Sequence, residues 1–144
     1  MKLNEECVRD VMTYLINNLE WDYDFDYQEI KYNKITIRMI ADNLKTYNPI
    51  TVYQTIHILA QIDYIKGKDI LDMHDRNPDR AYVDEITYLG HNFYNSIQDD
   101  TVWNKTKSII AKAGNHTLKF VEDTAQMVAV ASAKQAVTVM MTKK

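Results

Sequence analysis

Residues 37–62, which read IRMIADNLKTYNPITVYQTIHILAQI, contain two apolar patterns of helical period on either side of an Asn-Pro pair. The first pattern predicts a short helix that ends near Tyr47, and the second predicts a helix over roughly 50–63. Asn48-Pro49 separates them because helical geometry is disfavoured for the residue before a proline. Two consecutive helices joined by a short turn predict a helix-turn-helix. The apolar positions are Ile37, Ile40, Ala41, Leu44, Val52, Ile56, Leu59 and Ile62.

The residues that follow the second helix predict a β-hairpin. Residues 64–70 have the composition of a strand with a turn or bulge glycine at Gly67. Residues 75–80 include Pro78 and have the composition of a hairpin tip, and residues 81–86 are the returning strand. A helix pair followed by a two-stranded wing is the arrangement of a winged helix-turn-helix.

Further helices are predicted on both sides of this region from apolar spacing and capping residues. They cover residues 5–20, Thr87 to Ile97, Asp99 or Asp100 to Gly114, and 117–141. With three glycines and two prolines in 144 residues, long disordered linkers and a turn-rich β-sandwich are not expected. We expect an α+β, mostly α protein, with a winged-helix-like domain at residues 1–97 and a helical C-terminal extension at residues 98–144.

The charge is distributed unevenly along the chain, although the formal net charge is only −3. Residues 1–30 hold eight acids and two bases, residues 31–100 hold ten acids and eight bases, and residues 101–144 hold seven bases and two acids. A protein held on nucleic acid by bulk charge alone is therefore not expected. The acidic and basic ends are either solvated faces or binding surfaces.

Few residues indicate an enzyme. There is no glycine-rich phosphate loop and no nucleophile elbow, and the spacing of the histidines and acids matches no metal motif. The single cysteine, Cys7, excludes an internal disulfide and lies beside valines near a helix N-terminus, where inert packing is the expected role. We expect a non-enzymatic protein without catalytic residues, metal ligands or cofactors.

Residues 21–27, WDYDFDY, alternate aromatic and acidic side chains without interruption. Period-two alternation predicts a strand with the rings on one face and Asp22, Asp24 and Asp26 on the other. We expect the rings to be buried in an edge strand or a packed loop, because aromatic side chains bury large areas. The alternative is an acidic loop with exposed rings.

The first functional hypothesis is a regulator that binds DNA as a dimer. Its second helix would enter a groove and its wing would contact phosphates. No Lys or Arg occurs between Lys45 and Lys66, so the second helix itself contributes no phosphate contact. The candidate residues are Thr51, Gln54, Thr55 and His57 on the helix, and Lys66, Lys68, Arg76 and Arg80 on the wing.

Three groups of residues match the pattern of a known family. They are Met1-Lys2-Leu3-Asn4 with Val8-Arg9-Asp10, Ile86-Thr87 followed by Gly90-His91 and Phe93, and Asp99-Asp100-x-Val102-Trp103-x-Lys105-Thr106-Lys107. On these residues the chain resembles an uncharacterised family of bacteria and their phages, catalogued as domain of unknown function 2513. The resemblance implies a winged-helix-like region with a helical tail, often encoded by prophages or mobile elements, and it implies no activity. Asn92 and Gln98 stand where that family usually has an acidic and a basic residue.

The second functional hypothesis is a protein-binding effector, such as a phage inhibitor of a host defence system. It would use the acidic-aromatic stretch or the last helix, where Ala125, Ala129 and Ala133 form a small-residue ridge that allows another helix to approach. We expect this ridge to contribute to a homo-oligomer. The last helix is too short and too interrupted for a membrane span, and the first six residues resemble no secretory signal, so a cytoplasmic location in a bacterial or phage-infected cell is expected.

Overall fold

The computed structural model describes residues 3–71 and 77–142. They form two compact units, Glu6–His91 and Asn92–Lys144 with Met1–Glu5, here called the N-terminal unit and the C-terminal unit. The described chain is mostly helical with small antiparallel sheets, which confirms the predicted α+β, mostly α fold. The predicted domain division at residue 97 stays a prediction. The elements are α1 (Glu5–Asn18), β1 (Trp21–Asp24), β2 (Glu29–Tyr32), β3 (Ile35–Thr36), α2 (Ile37–Asn43), α3 (Pro49–Gln61), β4 (Ile65–Lys68), β5 (Tyr82–Ile86), α4 (Tyr88–Ile97), α5 (Asp100–Ala113) and α6 (Leu118–Thr142).

The two helices α2 and α3 begin at side-chain caps that the sequence supplies. The Thr36 hydroxyl accepts a hydrogen bond from the Met39 amide at 3.2 Å, and the Asn48 side chain accepts one from the Ile50 amide at 3.0 Å. Pro49 occupies the first turn of α3, where its missing N–H costs nothing. α2 ends at Asn43 rather than near Tyr47, because the chain leaves helical geometry at Leu44 (ψ 54°) and continues as a turn.

One apolar core joins the helices and the sheet of the N-terminal unit. Each of its large aliphatic side chains contributes roughly 1.5–3 kcal/mol relative to an exposed position. Its members are buried on α1, α2, α3, β4 and β5 and include Val8, Val11, Met12, Leu15, Ile37, Ile40, Val52, Ile56, Leu59, Ile65 and Val83. The faces that the structure buries on α1, α2 and α3 are therefore largely the predicted ones, although Ile62, predicted as part of the second stripe, is 36% exposed just after α3.

A three-stranded antiparallel sheet in the order β3-β5-β4 flanks the helix pair, with β3 before α2 and with β4 and β5 after α3. The pairing of β4 with β5 shifts between Lys66 and Gly67, so the predicted bulge is present. A Cβ at Gly67 would lie 1.9 Å from the carbonyl oxygen of Tyr82, which only glycine avoids. The hairpin between β4 and β5 is confirmed for the strands, whereas residues 72–76 of its predicted tip lie outside the described residues.

A second, separate sheet consists of β1 and β2 alone. They pair antiparallel from Trp21 opposite Tyr32 to Asp24 opposite Glu29, and residues 25–28 form the turn between them. The sequence prediction of one strand over residues 21–27 is therefore wrong in extent, because the chain reverses direction after Asp24. Gln28, at a φ of 53°, occupies the left-handed region in this turn.

In the C-terminal unit, α5 and α6 form a helical hairpin. The Asp99 carboxylate accepts a hydrogen bond from the Val102 amide at 3.0 Å and starts α5, as one of the two predicted caps. Gly114 ends α5 in the left-handed conformation (φ 66°), as predicted. α5 and α6 pack against each other, with Trp103 and Ile110 of α5 and Val121 and Ala125 of α6 buried.

Candidate functional site

The β1–β2 hairpin, with the preceding Glu20, leaves its apolar side chains exposed to solvent. Residues 20–32 are called the acidic hairpin from here on. None of the side chains from Trp21 to Lys31 is buried. Phe25 is 83% exposed, Tyr27 73%, Trp21 67% and Ile30 63%. The expectation that these rings are buried is wrong, and the alternative of an acidic segment with exposed rings describes the structure.

The strand register gives the acidic hairpin two chemically different faces. Tyr23 lies opposite Ile30, and their strands place Trp21 on the same face. Asp22 lies opposite Lys31 on the other face. The predicted separation of rings from aspartates is thus present along β1, but the apolar face is exposed rather than covered.

The turn of the acidic hairpin is organised around the Asp24 carboxylate. It accepts hydrogen bonds from the Asp26 amide at 3.0 Å and the Tyr27 amide at 3.3 Å, and it contacts the Lys31 ammonium at 2.6 Å. The hydrogen bond from Lys31 holds the pKa of Asp24 below its ordinary value. Lys31 also lies 5.8 Å from the centre of the Tyr27 ring. Asp24 therefore organises the turn, whereas Asp22 and Asp26 are exposed and Asp22 accepts only a hydrogen bond from the Tyr23 amide, at 2.8 Å.

Two aromatic rings of the acidic hairpin contact each other. The rings of Tyr23 and Phe25 meet edge to face, with centres 4.8 Å apart and planes at 82°. Such a pair stabilises the relative orientation of its rings by about 0.5–1.5 kcal/mol. The rings of Tyr23 and Phe25 are therefore held in a defined orientation relative to each other, although both are exposed.

Asn33 fixes the acidic hairpin to the end of α1. Its side chain donates to the Asn18 carbonyl at 2.6 Å and accepts from the Glu20 amide at 2.7 Å. Its backbone amide also donates to the Glu20 carbonyl at 3.2 Å. Sequence reasoning missed this residue, because a single asparagine after a strand carries no periodic or capping signal.

The acidic hairpin has a strong excess of negative charge. Residues 20–32 contain five carboxylates and one base, Lys31, which is already paired with Asp24. The whole N-terminal unit holds fifteen acids and nine bases. The surface therefore combines exposed aromatic area with a negative field.

The four residues predicted to read DNA from α3 occupy different environments. Thr51, Gln54 and His57 are half-buried. His57 Nδ1 lies 3.3 Å from the Ile70 carbonyl oxygen, beyond the end of β4. Thr55 is only 3% exposed and its hydroxyl donates to the Thr51 carbonyl at 2.8 Å, so its side chain lies in the core and cannot reach a base. We leave Thr55 out of any DNA-contacting surface for this reason.

The predicted phosphate contacts of the wing are exposed where the structure describes them. Lys66 and Lys68 are exposed on β4, and Arg80 is exposed just before β5. Arg76 lies outside the described residues. A nearby base, Arg38, is paired with Asp79 at 2.5 Å.

The alanine ridge of α6 is not a single surface. Ala125 is fully buried, Ala129 is half-buried and Ala133 is exposed. Because Ala125 is buried, it cannot contact another molecule as predicted. The three alanines differ because a spacing of four residues drifts around a helix of 3.6 residues per turn. Ala133 remains available on the outer surface.

Within residues 3–71 and 77–142, no three side chains of the His, Cys, Asp or Glu type lie close enough together to hold a metal ion. Cys7 is fully buried, and this burial raises the pKa of its thiol. Among the helices described, none has the length and apolar character needed to cross a bilayer.

Comparison with known proteins gives one match. A family model described as "Hypothetical protein (DUF2513)" covers residues 2–116, so it includes the acidic hairpin and ends just before α6. No curated protein and no solved structure matches the chain. Because the family model covers most of the sequence and the resemblance expected from the residues is the same, the chain belongs to the DUF2513 family of hypothetical proteins.

Proposed function

We propose that this protein is a non-enzymatic binding protein whose acidic hairpin contacts a basic surface of another protein. The observation that carries the proposal is the exposure of Phe25, Tyr27, Trp21 and Ile30 within one short hairpin of excess negative charge. An isolated two-stranded hairpin is marginal in water, so an ordered hairpin that buries none of these side chains gains little stability from them. Their area is instead available for contact with a partner.

The chemistry of the acidic hairpin defines the partner. Exposed aromatic rings attract Arg and Lys through their faces, and adjacent carboxylates pair with the same cations. Tyr27 already shows this geometry with Lys31 in the chain itself. A protein surface with arginines or lysines around an apolar centre complements both features, and aromatic anchors of this kind dominate many interfaces.

Nucleic acid is the wrong partner for this surface. Proteins that stack bases on aromatic rings surround those rings with positive charge. Here Asp22, Asp26 and Glu29 are exposed in the same hairpin as the rings, and the one base, Lys31, is paired with Asp24, so the hairpin would repel phosphates. The proposal includes a cytoplasmic location and the phage or prophage origin that the family resemblance implies. With that origin, the basic partner is a protein of the host cell.

The test compares the original full chain with four variants. Each is immobilised on a resin and incubated with a host lysate, and the retained proteins are identified. Two variants change the acidic hairpin: Phe25→Ser with Tyr27→Ser removes the rings, and Asp22→Lys with Asp26→Lys reverses the exposed charge. Asp24 is kept because it organises the turn. Two matched controls lie elsewhere: Tyr88→Ser at a ring that is 79% exposed, and Asp42→Lys at an exposed acid.

We expect a basic protein to be retained by the original chain and both controls, and lost from both hairpin variants. With that protein purified, loss of two aromatic anchors should weaken binding at least about thirtyfold, equivalent to about 2 kcal/mol. Acrylamide quenching gives an independent readout, since Trp21 is exposed and Trp103 is 1% exposed. The partner should protect Trp21. Retention of every captured protein by both hairpin variants would contradict the proposal.

A second candidate function is DNA binding by a winged helix-turn-helix. It is favoured by the order of α2, α3, β4 and β5 and by the exposure of Lys66 and Lys68 on β4. Gln54 and His57 would face the groove, and the two lysines would contact phosphates. The excess of acids in the N-terminal unit opposes this function.

Fluorescence anisotropy of a labelled duplex across a salt series distinguishes the two functions. If DNA is bound, Lys66→Ala with Lys68→Ala should reduce the slope of log affinity against log salt by about 2. Phe25→Ser with Tyr27→Ser should leave it unchanged. Absence of binding at low salt would eliminate this candidate.

A further inference from the structure

The last helix extends well past the helix it packs on. α6 has 25 residues and α5 has 14. At 1.5 Å per residue, their lengths are about 37 and 21 Å. Because the two helices are joined by a short turn and run antiparallel, the last part of α6 has no segment of α5 opposite it. The change is visible in burial: Leu118, Val121, Ala125 and Val128 are buried, and from Ala133 to Met141 every side chain is exposed.

A second apolar stripe begins where the first one ends. Val130, Ala133, Val137 and Met140 follow the spacing i, i+3, i+7 and i+10, which is the a/d spacing of a coiled coil. Val130 is 53% exposed, Val137 54% and Met140 75%. At 100° per residue, Val130 points about 200° away from Val128, so this stripe lies on the side of α6 opposite the face that packs on α5. It is called the outer stripe.

The charge of this segment limits what can cover the outer stripe. Residues 124–142 contain a single charged residue, Lys134. Helices that lie on a lipid surface carry several Lys or Arg residues on their polar face, and this segment does not. A strongly basic partner also finds no acidic residue to pair with in residues 124–142. A second copy of the same segment is apolar, nearly uncharged and therefore complementary to it.

We propose that the outer stripe pairs with the outer stripe of a second copy in a parallel, two-stranded coiled coil. Val130 and Val137, both β-branched, occupy the a positions, as in many two-stranded coiled coils. Ala133 at a d position allows the two backbones to approach closely. Lys134 falls at an e position, which faces a g position in a parallel pair and another e position in an antiparallel pair. The parallel arrangement thus keeps the two copies of Lys134 apart.

The size of the outer stripe sets the strength of the dimer. Standard stable interfaces use roughly 20 to 30 residues on each side. The segment from Val130 to Thr142 has about half that length, so we expect reversible dimerisation with a micromolar dissociation constant rather than an obligate dimer. This pairing does not depend on the function proposed for the acidic hairpin, and the family model does not extend into α6.

Sedimentation velocity of the full chain over a wide concentration range tests the proposal. We expect the sedimentation coefficient to rise from monomer to dimer. Val137→Glu places a charge in the centre of the outer stripe and should weaken dimerisation at least tenfold. Gln135→Glu is the matched control, since Gln135 is also exposed on α6 but points away from the outer stripe. It adds the same charge two residues from Val137. It should leave dimerisation unchanged, and circular dichroism should show that both variants keep their helix content.

Disulfide trapping then tests the parallel orientation. In a parallel pair, a positions face each other, so Val137→Cys should form a disulfide between two copies under mild oxidation. Gln135→Cys should form none, and the native Cys7 is buried and does not compete. A monomer at every concentration would overturn the proposal. So would a dimer that survives Val137→Glu, or one that is lost equally in the Gln135 control.

Discussion

The two β-hairpins of the N-terminal unit have strands of similar length but differ in whether their apolar side chains are buried. In the hairpin of β4 and β5, Ile65 is 1% exposed and Val83 is fully buried. In the acidic hairpin, no side chain from Trp21 to Lys31 is buried, although the segment is richer in aromatic residues. The difference shows that an apolar face on a strand becomes core only when another element lies over it.

Different forces therefore hold the two hairpins. β4 and β5 contact α3 and a third strand, so burial of apolar area stabilises them. The acidic hairpin is a two-stranded sheet held by the hydrogen bonds of Asn33 and by the Asp24–Lys31 pair. Its apolar residues are consequently expected to matter for binding and to contribute little to stability.

The largest expected effect comes from replacing the same residue type in each hairpin. Ile65→Ala removes a buried side chain and should lower the free energy of unfolding by about 2–5 kcal/mol, because it leaves a cavity in the core. Ile30→Ala, at a side chain that is 63% exposed, should change it by less than about 0.5 kcal/mol. Urea unfolding of both variants measures the difference. Equal losses would show that the acidic hairpin is covered in solution.

A smaller effect is expected at the bulge that only the β4–β5 hairpin contains. Gly67→Ala places a Cβ against the Tyr82 carbonyl, so the strands must shift, at a cost of about 1–3 kcal/mol. Gly114→Ala is the comparison, because its Cβ would meet nothing and only its φ of 66° is strained, at about 1–2 kcal/mol. Amide hydrogen exchange should show the Gly67 variant loosened across β4 and β5, with the acidic hairpin unchanged. Exchange that rises equally in both hairpins would mean that they unfold as one unit.

The smallest effect concerns pH and the turn of the acidic hairpin. The pKa of Asp24 is lowered in the folded chain, so its contribution to the order of the turn is complete above the ordinary value of about 3.9. That contribution is lost as pH falls below this value and through the lower folded pKa. We expect the Tyr27 amide resonance to shift across this range. In Asp24→Asn, the neutral amide should still accept hydrogen bonds in the turn but give no titration, and a titration that persists would assign it to another acid.

The sequence predicted those elements whose signals are local. Thr36, Asn48 and Asp99 cap helices through hydrogen bonds to amides two or three residues further along the chain. The sequence predicts helix boundaries at Asn48 and Asp99 but not at Thr36. The sequence predictions for Gly67 and Gly114 are correct: Gly67 lies at a bulge where the Tyr82 carbonyl leaves no room for a Cβ, and Gly114 ends α5 at a left-handed φ of 66°. Such features can be predicted since the residues that interact are close together in the sequence.

The misplaced site residues depend on what is remote in the sequence. Alternation in residues 21–27 indicates which side chains share a face, but not whether anything covers that face. Thr55 is polar and lies two residues from the half-buried His57 on α3, yet its own side chain is buried in the core. Ala125, Ala129 and Ala133 recur every fourth residue but differ in burial, because that spacing drifts around the helix and away from the face that packs on α5. None of these outcomes follows from propensity or periodicity alone.

The anchoring of the acidic hairpin through Asn33 has a consequence for how this protein changes over generations. Because backbone pairing and a few polar contacts hold the hairpin, its exposed rings and acids can be exchanged without a large loss of stability. Under the proposed function, selection on binding is thereby separated from selection on folding. Substitutions at a handful of positions would then change what the acidic hairpin binds while the helical core stays constant.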